Sequence, residues 1–212
     1  MEGFAARSSS VAIVLSLLCQ LAKTGALAAS QRCLAGKGAN QKRKKKAPTA
    51  AILDSQTVKM ADQPGERGYD AGKKVAGRKR HLLVDTLGLI LVAVVHAANI
   101  QDRDGAKAVI EKARWFGWLR VIFADGGYSG ALVAWVRESF HGQGTRLQIV
   151  PKLGVGFRVL AKRWIVERTF SWFNHYRRLS KDYEVKPAHS EAFIYAAATR
   201  LMLRRLAPTP TK

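Results

Sequence analysis

The sequence predicts an α/β fold. Its core is a mixed sheet in which three antiparallel strands continue into parallel strands, with helices on both faces. Two features of the element order carry this reading. Three strand-like segments precede the first helical pattern, and the last two are joined by the turn Asp85–Gly88 as a hairpin. From there helix, strand, helix, strand and helix alternate, and parallel strands need such crossovers. Composition agrees: 48% of the 212 residues are hydrophobic, which suffices for one good-sized domain plus extensions.

Taken in order, the first 30 or so residues carry the apolar run Val11–Cys19 and the small-residue stretch Ala26-Leu27-Ala28, which imitate a signal peptide. Only Arg7 supplies positive charge ahead of the run. The run is also shorter than the roughly 20 apolar residues a transmembrane helix needs. Residues 36–50 read as a linker, in which Lys42-Arg43-Lys44-Lys45-Lys46 repels itself and either stays solvated or lies along phosphates. Ala50–Lys59 is the first strand, and Asp54 inside it is notable because Asp is depleted in strands. Residues 60–72 read as a loop containing Pro64-Gly65, Gly68 and Gly72. Lys79–Val84 and Leu89–Ala97 are the hairpin strands.

Asp102–Phe116 reads as a helix with Asp102 as its N-cap. Val121–Ala124 is a short buried strand that stops at Asp125, and Gly126-Gly127 turns the chain. A helix over residues 131–140, a strand over 146–151, a helix over 163–180 and an Ala- and Leu-rich helix over 190–206 complete the pattern. No repeat is visible.

The formal net charge is +21, from 36 Lys and Arg against 15 Asp and Glu, which favours a polyanionic partner. The two cysteines, Cys19 and Cys33, lie outside the part read as folded and suggest neither a disulfide framework nor a zinc site. His81 and His96 sit in strand patterns without partners at zinc-ligand spacing. Two basic clusters are candidates for phosphate contacts: Lys73, Lys74, Arg78, Lys79 and Arg80, and then Arg177, Arg178 and Lys181. The plainer reading makes them solvated faces. Trp164 could stack on bases, whereas helical spacing assigns Trp172 and Phe173 to the core.

Three acids stand out against this background. Asp125 ends a buried strand beside a glycine turn, where it is held rigidly and still reaches a cleft. Asp54 interrupts a strand. Glu167 lies on the polar side of its helix with Arg163, Asn174, Arg178 and Lys181, opposite the apolar and aromatic face. The plainer readings are an aspartate opening a turn and an i, i+4 ion pair with Arg163. Three carboxylates can instead hold two divalent cations about 3.5–4 Å apart for phosphoryl transfer, and such oxygen ligands suit Mg²⁺ or Mn²⁺.

Several long pieces in the right order resemble the DDE transposases of bacterial insertion sequences, specifically the insertion-sequence-five group. They are AILDSQTVK (51–59), GYDAGKKVAGRKRHLLVDTLG (68–88), HAANIQDRDGA (96–106), FADGGY (123–128) and WIVERTFSWFNHYRRLSKDYE (164–184). The resemblance runs from about Ala50 to Ala207. It implies an RNase H-like core, with Asp54, Asp125 and Glu167 as the metal-binding catalytic acids, and it matches Arg163 to a signature arginine four residues before the glutamate, which is expected to join the two basic clusters in binding DNA. Leu160 stands where the wider signature has a tyrosine, and Asn174 or His175 where it has a basic residue.

The expected function is metal-dependent cleavage and strand transfer of insertion-sequence DNA. The expected partners are the element's ends and target DNA, with Mg²⁺ or Mn²⁺ as cofactor, no membrane, and a cytoplasmic, nucleoid-associated location. In the resembling family a helical recognition region precedes the core. Residues 1–49 show no convincing pair of amphipathic helices, so a second protein half or a separate recognition domain is expected, and self-association is left open. The expected organisation is an extension over 1–49, a catalytic domain over 50–207 and a tail over 208–212. The rival readings are a non-catalytic DNA-binding remnant and, from residues 11–28 alone, a secreted nuclease.

Overall fold

The computed structural model describes residues 47–151 and 162–206. The apolar run at 11–19, the lysine block and Leu160 lie outside them. The elements are β1 (Ala50–Lys59), β2 (Gly68–Asp70), β3 (Val75–Asp85), β4 (Ile90–Ala97), α1 (Asp102–Ala113), β5 (Val121–Ala124), α2 (Ala131–Ser139), β6 (Arg146–Ile149), α3 (Arg163–Phe173) and α4 (Pro187–Leu206). Short 3-10 turns follow β5 (Gly126–Tyr128) and α3 (Arg177–Leu179).

The sheet is mixed, as expected. β3 pairs antiparallel with β1 on one side and with β2 and then β4 on the other, while β1, β5 and β6 run parallel. β3 therefore lies inside the sheet, and from Gly77 to Asp85 every residue is buried. The two faces are packed separately. Leu53, Leu83, Val92 and Ile122 pack with Val109 and Ile110 of α1 and Leu132 and Val136 of α2. Ile52, Leu82, Val84 and Phe123 pack with Ile165, Val166 and Phe170 of α3 and Ile194 and Ala198 of α4. Alternation along the strands sends consecutive residues to opposite faces, so a one-residue slip would invert both cores.

α4 also seals the sheet edge. The Ala93 N–H donates to the Tyr195 hydroxyl (2.9 Å) and the Val95 N–H to the Glu191 carboxylate (3.0 Å). Those outward N–H groups would otherwise template pairing with another strand.

Several sequence expectations change. β3 begins at Val75 rather than Lys79, β6 ends at Ile149 rather than Pro151, and α4 begins at Pro187 rather than near Ser190. The 60–72 loop contains the three-residue strand β2. Asp102 is the first residue of α1 rather than its cap; Gln101 stands at the cap, and the Asp102 carboxylate is taken by Lys79 at 2.9 Å. α1 ends at Ala113 and not Phe116. α3 ends at Phe173 rather than near Ser180, because the chain beyond it must present carbonyls to a buried arginine: Arg80 takes Leu179 O (2.7 Å) and Lys181 O (3.1 Å).

Candidate active site

β1 and β5 place two of the three acids. Their observed parallel register ends at Ile52 beside Phe123, and both of these side chains face α3. Two residues further along each strand come Asp54 and Asp125, at the same level and on the same face. The Ser55 N–H donates to Asp54 Oδ1 (2.8 Å). Asp125 caps the turn that follows β5 and accepts from the Gly127 N–H (2.9 Å).

Burial is the main cause that pushes the Asp54 carboxyl up from 3.8 to about 6. The Ser55 N–H opposes it, the neighbouring Asp125 adds to it, and Arg163 and Lys73 oppose it.

Glu167 sits one turn into α3. The helix is fixed by the β3–β4 turn, where the Asp85 carboxylate accepts from the N–H groups of Leu87 and Leu89 (2.8 Å each). Arg168 then donates to Leu87 O (3.0 Å), and the Thr169 hydroxyl lies 3.0 Å from Gly88 O. Gly88 has φ +82°, and a Cβ there would press on Thr169 and Trp172, so only glycine lets turn and helix approach this closely.

Arg163 connects the acids. Its Nε lies 3.4 Å from Glu167 Oε1 and its Nη2 lies 3.6 Å from Asp125 Oδ2. The plain i, i+4 pair is thus present, but it is shared with Asp125. The Glu167 side chain is 56% exposed and turned to Arg163. Among the described residues no three His, Cys, Asp or Glu side chains are gathered closely enough to hold one metal ion. Asp54 and Asp125 are brought together; Glu167 is adjacent and joined to them through Arg163. Lys162, the residue before Arg163, lies over the Phe123 ring (4.0 Å).

The donor set suits a hard divalent cation. It consists of carboxylate oxygens, one of them half-buried beside a like charge, which is unfavourable until a cation neutralises it. Asp54 and Asp125 would hold such an ion, and Glu167 has the freedom to turn toward it.

The first basic cluster needs correction. Lys73 and Lys74 are exposed, but Arg78, Lys79 and Arg80 are buried, at 0%, 5% and 1% exposure. They cannot lie along phosphates as expected, because β3 is an inner strand covered on both faces. Arg78 donates to the carbonyls of Glu66 (2.8 Å), Glu184 (2.6 Å) and Val185 (2.6 Å) and pairs with Asp182 at 3.3 Å. Lys79 bonds Ile100 O (2.8 Å) and Asp102. These cations tie the 177–185 segment and the start of α1 to the sheet. In the second cluster Arg177 and Lys181 are exposed, while Arg178 is paired with Glu184 at 2.8 Å. Trp164 is 42% exposed and stacked by Arg168 at 4.5 Å; Phe173 is buried.

Sequence reasoning also missed a polar cluster on the opposite face of the sheet. Ser55, His81, His96, Tyr128 and Asp102 meet beneath the acids; the histidine rings lie 4.9 Å apart, and His81 and Tyr128 meet edge-on at 6.4 Å. Both histidine Nε2 atoms press on Gly105, where a Cβ would collide with them. The Asp-Gly pair at 104–105 in a helix was the available signal, since glycine is costly in a helix interior.

The order β4-β3-β1-β5-β6, three antiparallel strands continuing into two parallel ones, with the short β2 added on β3 and two helices on each face, is an RNase H-like arrangement. Residues 45–203 match the model of the Transposase DDE domain family, and the chain belongs to that family. It is also similar to a Burkholderia cepacia protein named "Putative transposase for insertion sequence element IS402", with 29% identity over 127 residues, 56% of this chain and 59% of that one. The chain thus spans about three-fifths of the length of that relative. Among the described residues no helix is long and apolar enough to cross a membrane.

Proposed function

We propose that residues 50–207 form the catalytic domain of an insertion-sequence transposase that cuts and joins DNA strands, with Asp54, Asp125 and Glu167 as the catalytic acids. The observation that carries this reading is the juxtaposition of Asp54 and Asp125 on the neighbouring inner strands β1 and β5, with Asp54 pushed up to about 6 by burial and by its neighbour, in a chain of the DDE family. Divalent cations, Mg²⁺ or Mn²⁺, would activate the attacking oxygen and stabilise the leaving one.

The chain's own residues do the rest. Asp54 inside β1 and Asp125 directly after β5 hold negative charge at fixed positions, and Glu167 closes the set from α3. Lys73, Lys74, Arg177 and Lys181 offer exposed positive charge for phosphates, and they position DNA without reading its sequence. The working place is the DNA of the cytoplasm, with the element's ends and target DNA as substrates. A recognition segment or second protein half, and self-association, belong to the same proposal.

The test is nicking of supercoiled plasmid in Mg²⁺. Wild-type protein is expected to nick in Mg²⁺ and stop in chelator, and Asp125→Asn to lose nicking while still binding DNA. Wild-type nicking by Asp125→Asn protein would refute the assignment. DNA binding without any metal-dependent nicking would favour the non-catalytic alternative.

A further inference from the structure

An arginine is poorly placed at the start of a helix, where unsatisfied N–H groups already create positive potential. Arg163 opens α3, directly after Lys162, and the first turn contains no acid to offset it. Its position is explained by what lies across from it. The guanidinium spans Asp125 and Glu167, from two different elements, and its side chain is only 21% exposed.

It is nevertheless held loosely. Both contacts are at ion-pair distance, 3.4 and 3.6 Å, and the buried Nε has no hydrogen-bond partner. A guanidinium can bind one carboxylate with two parallel N–H bonds. Here it divides its charge between two carboxylates and makes that fork with neither. Its charge also reaches Asp54, whose carboxyl it lowers. Arg163 is therefore in ion-pair contact with Asp125 and Glu167, and its field reaches Asp54.

We propose that Arg163 is the resident counter-ion of this acid site, and that a divalent cation binds only by displacing it from Asp125 and Glu167. The inference rests on the metal-binding reading above and assigns Arg163 a positioning role within it. Glu167 faces Arg163, which also contacts Asp125. Removing the competing positive charge therefore strengthens metal binding, the reverse of what loss of a merely structural residue would do. The ion pairs are partly solvated, so the competition is modest, about three- to tenfold in affinity.

The experiment measures Mn²⁺ binding to the full chain without DNA, from the free-ion electron paramagnetic resonance signal at pH 7.5. Arg163→Gln is expected to bind Mn²⁺ about three- to tenfold more tightly than wild type. Arg163→Lys, which keeps the charge, stays close to wild type, and Asp125→Asn loses binding. Equal or weaker binding by folded Arg163→Gln, with wild-type binding intact, overturns the counter-ion role and leaves the metal site standing. A wild-type protein that binds no Mn²⁺ overturns both. Should Arg163→Gln fail to fold, the wild-type Arg163 Nε–H resonance supplies the test. It is expected to shift on Mg²⁺ addition, and an unmoved resonance in Mg²⁺-saturated protein overturns the proposal.

Discussion

Replacing Asp54 by Asn should stabilise the metal-free protein. The Asp54 carboxyl titrates near 3.8 in an unfolded chain and is pushed up to about 6 in the fold, chiefly by burial. Between these values the folded state binds more protons than the unfolded one, so stability falls as pH rises through the window, and the penalty is complete above about 6. A shift of about two units at 1.36 kcal/mol each amounts to about 3 kcal/mol at pH 7.5, and about half of that at pH 5. Asn does not titrate, and its side-chain oxygen still accepts from the Ser55 N–H. Urea unfolding in chelator is therefore expected to show Asp54→Asn more stable than wild type by about 2–3 kcal/mol at pH 7.5, with the gap narrowing toward pH 5. For a domain of this size that corresponds to roughly 5–10 °C in Tm. An Asp54→Asn protein no more stable than wild type at pH 7.5 would refute the idea that this carboxylate is held at a cost until a cation arrives.

Other outcomes follow from the same geometry. Arg78→Met leaves Asp182 buried without its cation and three carbonyls without their donor, and is expected to destabilise by about 3–5 kcal/mol in urea unfolding. Lys73→Ala with Lys74→Ala is expected to leave stability within about 0.5 kcal/mol, and to flatten the salt dependence of DNA affinity by up to about 0.9 in log–log slope per lost contact. His81 is buried and held well below its usual range, first by desolvation and then by His96, so the unfolded state binds more protons below about pH 6.5 and stability is lost as pH falls through that point. His81→Leu is expected to reduce the loss of stability between pH 7.5 and pH 5, measured by urea unfolding; an unchanged loss would place the acid sensitivity elsewhere.

Much of this architecture is legible in the chain because its strands are short apolar runs that end at turn residues. Ala50–Lys59 has the bounds read from sequence, and Asp85–Gly88 is the hairpin turn, because an Asp that accepts from following N–H groups is a local feature. Asp54 was conspicuous because a strand interior disfavours it. The buried fate of Arg78 and Arg80 is harder to see, since it depends on carbonyls about 100 residues away in the 177–185 segment, and that of Lys79 depends on Ile100 and Asp102 at the start of α1. The strand order did contain a clue: the second strand of a three-stranded meander is interior, so its cations must find partners inside. The end of α3 is hidden for the same reason, because helical periodicity persists through Leu179 while Arg80 captures the backbone there. The role of Arg163 required the register between β1 and β5, which no local pattern reveals.

The most direct test of a shared metal site at Asp54, Asp125 and Glu167 is metal-directed backbone cleavage. Fe²⁺ bound in place of Mg²⁺ generates hydroxyl radicals with ascorbate and peroxide, and these cut the polypeptide close to the ion; mass spectrometry then locates the cuts. The expected result is three scission zones, around residues 54, 125 and 167, suppressed together by excess Mg²⁺ and lost together in Asp125→Asn protein. Scission at other places, or cuts around these residues that Mg²⁺ does not suppress, would contradict the site.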